Sequence, residues 1–188
     1  LGPVPEKRKG TEVPWQMPSV CPRCGTPTHR DEEDVATYCP NVACPGRQLE
    51  GLVHFASKDA MDIDGLSYAR IQQLLGADFV HDFADLYDVT VEQLVSLERF
   101  AHKSAENLVS AISTSKQQPL SRLLFGLGIR HVGAQAAQLL ARHFGSMDAL
   151  IAATPEQLGA VRGIGDIIAA SVADYVGNPT SRALIERL

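Results

Sequence analysis

Thr154-Pro155-Glu156-Gln157-Leu158-Gly159-Ala160-Val161-Arg162-Gly163-Ile164-Gly165-Asp166 is the stretch on which the fold turns. Thr154 and Gln157 are spaced as a capping box, in which the hydroxyl accepts the N3 amide and the Gln side chain returns to the Thr amide. Pro155 falls at the first helical position, where its missing donor costs nothing. Gly163-Ile164-Gly165 then separates this short helix from an apolar one starting near Asp166. In such a turn the apolar residue pins the backbone into the core. The flanking positions let main-chain amides approach an anion, and the next helix N-terminus adds partial positive charge.

The same phase occurs 64 residues earlier. Thr90 falls on Thr154, Gln93 on Gln157, Leu94 on Leu158, Leu97 on Val161, Phe100 on Ile164, Ala105 on Ala169 and Leu108 on Val172. A shift two residues longer sets Ser67 on Gly133 and Leu74 on Leu140. Residues 58–117 and 118–180 thus read as two copies of one unit, each too short to bury its apolar face alone. Each copy holds two turns: Gly65-Leu66-Ser67 and Arg99-Phe100-Ala101, then Gly128-Ile129-Arg130-His131-Val132-Gly133 and Gly163-Ile164-Gly165. Four turns in register between helices predict a mostly α fold, a tandem helix-hairpin-helix domain of four hairpins in two repeats. The residues expected to contact nucleic acid are Gly65, Leu66, Ser67, Lys103, Gly128, Arg130, His131, Gly133, Gly163, Ile164 and Gly165. Arg99-Phe100-Ala101 keeps the apolar plug but neither glycine, which leaves phosphate binding there open. Apolar spacing places helices through 105–112 and 120–127.

All four cysteines lie upstream of this array, as Cys21-Pro22-Arg23-Cys24-Gly25 and Cys39-Pro40-Asn41-Val42-Ala43-Cys44-Pro45. Two close pairs of thiolates suit one tetrahedral Zn²⁺ on Cys21, Cys24, Cys39 and Cys44, with no position open to substrate, so the metal is expected to be structural. Disulfides or an iron–sulfur cluster are the competing readings, and the clustering disfavours the former. His29 and His54 read as surface histidines, and the run Asp31-Glu32-Glu33-Asp34 as a solvated loop.

The 188 residues carry a net charge of −5, which excludes a polybasic binder. Charge is uneven: −1 over 1–57, −5 over 58–118 and +1 over 119–188, so an anionic ligand should favour the second copy. No apolar run approaches the ~20 residues of a membrane span, and no signal peptide opens the chain. No Walker loop, dinucleotide fingerprint or zinc-protease motif occurs, and no nucleophile–base arrangement can be assembled. The chain is expected not to be catalytic alone. Lacking a starter Met and ending abruptly, it reads as a piece of something larger.

These residues together resemble bacterial NAD-dependent DNA ligase, C-terminal portion. The likeness rests on Met17-Pro18, the two cysteine knuckles, Met61-Asp62-Ile63-Asp64-Gly65-Leu66 and Lys103-Ser104-Ala105-Glu106-Asn107-Leu108. Its densest block is Leu123-Leu124-Phe125-Gly126-Leu127-Gly128-Ile129-Arg130-His131-Val132-Gly133. The resemblance implies residues 1–18 as the end of an OB domain or its linker, 19–57 as a four-cysteine finger, 58–180 as the helix-hairpin-helix domain and 181–188 as the start of a linker to a missing BRCT domain. It further implies a cytoplasmic bacterial parent enzyme using NAD and Mg²⁺, with nicked double-stranded DNA and the remaining ligase domains as partners and no membrane. No lysine here lies in the Lys-x-Asp-Gly pattern that accepts AMP. A hairpin module of another repair enzyme, such as an excision nuclease, and a zinc-stabilised protein-interaction module are the alternatives.

Overall fold

The computed structural model describes residues 5–7, 9–30, 35–41 and 44–188. The acidic run 31–34 and part of the prolyl tail lie outside the described residues. Two compact units divide the chain, Leu1–Arg47 and Gln48–Leu188. In the first, a 3₁₀ turn at Pro5–Lys7 precedes exposed backbone without regular structure, and two isolated antiparallel bridges pair Val20 with Pro27 and His29 with Tyr38.

The second unit is helical. Its elements are α1 (Pro45–Ala56, which begins before the boundary), α2 (Tyr68–Gly76), α3 (Val91–Val95), α4 (His102–Ser115), α5 (Leu120–Gly126), α6 (Ala134–Phe144), α7 (Met147–Ala152), α8 (Pro155–Gly159), α9 (Asp166–Gly177) and α10 (Pro179–Arg187). A 3₁₀ turn, Asp85–Asp88, lies between α2 and α3. Both capping boxes form with the same dimensions: the Thr hydroxyl lies 3.3 Å from the N3 amide and the Gln carbonyl 2.9 Å from the Thr amide, at Thr90–Gln93 and at Thr154–Gln157.

Helix begins earlier than the periodicity suggested. Residues 45–56 are α1, and Leu49, Leu52, Phe55 and Ala56 form its buried face. Gly46 and Gly51 lower the helix propensity of this segment and mask its pattern. Burial of Leu52 and Phe55 outweighs that cost, because each fully buried large apolar side chain contributes about 1.5–3 kcal/mol.

Two apolar clusters correspond to the two copies. One gathers Phe55, Ile71, Leu74, Leu86, Leu94 and Leu108, with Phe100 as its turn plug. The other gathers Leu124, Leu140, Leu150, Leu158 and Val172, with Ile164 as its plug. Phe83 and Leu123 pack against both clusters, and Phe83 stacks on Phe55 with ring centroids 4.7 Å apart. His54 Nε2 lies 2.8 Å from the Phe125 carbonyl oxygen, and the Arg122 guanidinium donates to the Lys58 carbonyl. At the far end, Arg187 of α10 donates to Asp82 and Asp85, at 2.6 and 2.5 Å. The copies are thereby joined by apolar and polar contacts into one unit.

Candidate metal centre and nucleic-acid interface

Cys21, Cys24, Cys39 and Cys44 offer four sulfurs that all lie within 4.8 Å of one another. Cys21 and Cys44 Sγ are 3.8 Å apart and Cys24 and Cys39 Sγ 3.5 Å apart, far beyond a disulfide bond. Thiolates at ~2.3 Å from a tetrahedral Zn²⁺ sit ~3.8 Å from each other, so the donor set fits zinc. The first knuckle closes through Cys21 N–H to the Thr26 carbonyl and Gly25 N–H to the Cys21 carbonyl, both 2.8 Å. Arg47 donates to the carbonyls of Cys39 and Pro40 at 3.2 and 3.4 Å and steadies the second knuckle. Thr26, whose Oγ1 is 3.3 Å from Cys24 Sγ, holds the Cys24 thiol well below its ordinary range, while burial pushes Cys39 up. Zinc binding therefore displaces protons unequally from this set.

The four turns share one backbone. The residue ahead of the buried plug is left-handed in each: Gly65 at φ +80°, Arg99 at +64°, His131 at +65° and Gly163 at +92°. Leu66, Phe100, Val132 and Ile164 are the buried plugs. The third position caps the next helix in extended conformation: Ser67, Ala101, Gly133 and Gly165. The third turn is thus His131-Val132-Gly133. Gly128, also left-handed, lies two residues beyond α5 and matches Asp62 of the first copy in conformation. As buried plugs, Leu66 and Ile164 can serve a ligand only by placing the backbone. The Arg99 turn keeps the shared conformation without glycine, and Ala101 has φ −83°, which any residue adopts.

Side-chain caps divide the helix starts, and Pro119 of α5, outside the four turns, is without one. Thr90, Ser146, Thr154 and Asn178 each accept a first-turn amide of α3, α7, α8 and α10. Ala101, Gly133 and Gly165 make no side-chain cap to α4, α6 and α9. Those first-turn amides, which a helix cannot satisfy internally, are left to water or an anion. The first hairpin is the exception: Ser67 Oγ accepts the Arg70 amide at 3.5 Å.

Among the side chains, Arg99, Lys103, Arg130 and His131 are exposed. Lys103 and His102 both approach Glu106, at 3.5 and 3.3 Å, contacts too exposed to hold them firmly. Asp166 stands at the start of α9, directly after Gly165. Arg47 and Arg70 were missed by sequence reasoning, because neither belongs to a motif and both act through backbone carbonyls distant from any charge pattern.

Known proteins match this architecture. The NAD-dependent DNA ligase C4 zinc finger domain matches residues 20–45. The SAM-like helix-hairpin-helix tandem matches 57–114, and the helix-hairpin-helix motif matches 122–185. A DNA ligase of Gemmatimonas aurantiaca is 76% identical over the whole chain, which covers 27% of that protein. DNA ligases of Lysinibacillus sphaericus and a Roseiflexus species are 50% and 48% identical, again over the whole chain and over 28% and 26% of their own length. The chain thus spans about a quarter of the relatives it matches. Over that span it corresponds to the zinc-finger and helix-hairpin-helix portion of NAD-dependent DNA ligases.

Proposed function

We propose that this stretch is the DNA-gripping portion of an NAD-dependent DNA ligase that seals nicks in duplex DNA during replication and repair in the bacterial cytoplasm. The observation that carries the reading is the uncapped first turns of α4, α6 and α9, each presented by a hairpin with the same left-handed entry. They supply amide donors and helix-dipole charge without net basicity, which is how a chain of net −5 can hold a polyanion. Contacts of this kind address the backbone and carry little sequence preference. Cys21, Cys24, Cys39 and Cys44 would hold a structural zinc that fixes the finger. NAD, Mg²⁺ and the lysine that accepts AMP would belong to the rest of the parent enzyme.

Fluorescence anisotropy on one nicked duplex and its intact counterpart, at several salt concentrations, tests this. If about 3–4 phosphates are neutralised, log affinity falls with log salt at a slope of about −3 to −4, and the nicked duplex is bound at least as well as the intact one. Absence of salt-dependent binding would instead favour a protein-interaction module. Labelled NAD should leave no covalent AMP on the chain, and stoichiometric labelling would overturn the assignment of catalysis to other domains.

A further inference from the structure

The first copy poses a problem for the amide mechanism. It carries −5 of charge and its first hairpin is capped by its own Ser67, which leaves it the α4 amides of the second hairpin alone. Between these two turns lies Arg70 of α2, a residue outside every motif. Its guanidinium stands 4.6 Å from the centroid of the Phe100 ring, the plug of the second turn. One of its nitrogens donates to the Gly65 carbonyl of the first turn at 2.8 Å. A methyl at position 65 would come within 3.2 Å of that nitrogen, so Gly65 is small enough to admit it. The second copy has no counterpart: the same register falls on Ala136, which is buried.

We propose that Arg70 is a DNA-phosphate contact shared by the first two hairpins, adding a fixed cation to the uncapped α4 amides of the first copy. The guanidinium carries five N–H donors in a planar fork. One donor is spent on Gly65, and the ring face is spent on Phe100. The residue is only part-buried, so the rest of the fork is not enclosed by the protein. A planar cation held by a stack and a carbonyl loses little freedom on meeting a phosphate, and arginine forks match phosphate oxygens well. The acids nearest in sequence, Asp64 and Glu98, flank the two turns, and Gln73 of α2 ties the second down by donating to the Glu98 carbonyl at 3.0 Å. Arg70 is therefore the cation that the turns themselves position.

This inference rests on the DNA-binding reading, so its test runs beside the wild-type chain and a Gly165→Val control. Arg70→Gln and Arg70→Lys are compared by anisotropy on a nicked duplex across salt concentrations, with thermal melting of each protein. For Arg70→Gln, affinity should fall about three- to tenfold and the salt slope should flatten by about one unit, as for loss of one phosphate contact. Arg70→Lys should keep the wild-type slope while recovering only part of the affinity, since an ammonium keeps the charge but not the planar fork. A fall in affinity with an unchanged slope in Arg70→Gln would make Arg70 a structural prop and overturn the proposal, as would unchanged affinity. Failure of the wild-type chain to bind would instead refute the DNA-binding reading.

Discussion

Gly163 and Gly165 look interchangeable in the sequence, yet the structure gives them different work, and a pair of substitutions separates it. Gly163 has φ +92°, and a Cβ there would meet Leu139 Cδ1 at 2.9 Å. The left-handed backbone costs a non-glycine residue ~1–2 kcal/mol. Leu139 is a flexible branch end and can move, and a stiffer unfolded chain returns up to ~1 kcal/mol. Gly163→Ala should therefore destabilise the helical unit by about 1 kcal/mol, lowering its melting temperature by ~2–4 °C for a unit of this size. Gly165 has φ −88° and ψ 169°, and a Cβ there meets nothing within 4 Å. Gly165→Ser should leave melting unchanged or raise it slightly, because Ser is a preferred cap and exceeds Gly by only a few tenths of a kcal/mol. Its hydroxyl would take the α9 amide that the proposed function leaves to a phosphate, so affinity for a nicked duplex should fall about five- to tenfold, near 1–1.4 kcal/mol. Differential scanning calorimetry and anisotropy on the same preparations read the two effects apart. Wild-type binding by a folded Gly165→Ser would refute the amide argument, and wild-type melting of Gly163→Ala would refute the strain argument.

Chelation should unfold the finger while the helical unit retains its circular dichroism, because the helical unit buries its own apolar clusters without metal; a metal assay showing less than about half an equivalent of zinc per chain would contradict a closed four-thiolate site. Arg187→Ala should release α10, which buries no residue of its own, and speed amide exchange over 182–187 by about fivefold or less, as for two partly exposed ion pairs on one guanidinium. The same pairs set a pH dependence. Burial alone would raise the Asp85 carboxyl, but the His81 amide, Arg187 and the Asp82 amide outweigh it and hold the group below the usual carboxylate range. A depressed folded value means that the contribution is complete above the ordinary carboxylate range and is lost as pH falls through the lowered value. Protection of α10 should therefore persist at neutral pH and fade in acid, and a rise in protection on acidification would reverse the assignment.

What the sequence exposed and what it hid divide along physical lines. The capping boxes at Thr90 and Thr154 were legible because a short-range exchange of hydrogen bonds depends only on residues three apart, and both form with the same distances. The plugs Phe100 and Ile164 were legible because burial selects large apolar residues at a fixed phase. The four cysteines were legible because the metal, rather than the fold, sets their identity. The left-handed entries of the second and third turns were not. Arg99 and His131 hold that conformation with side chains that carry no conformational signature, so glycines marked the first and fourth turns and gave the third only as the wider span 128–133, within which His131 is the entry. The duplication is thus better kept in dihedral angles than in residues: Gly65 with His131, Arg99 with Gly163, and Asp62 with Gly128 match in backbone sign while differing in chemistry. Strain of this kind is retained where surrounding packing over-determines it, and here the plug beside each entry supplies the packing. Arg70 was hidden for the opposite reason. Its partners are a carbonyl and a ring face brought together only when α2 seats the first two turns side by side, and no spacing along the chain announces that meeting.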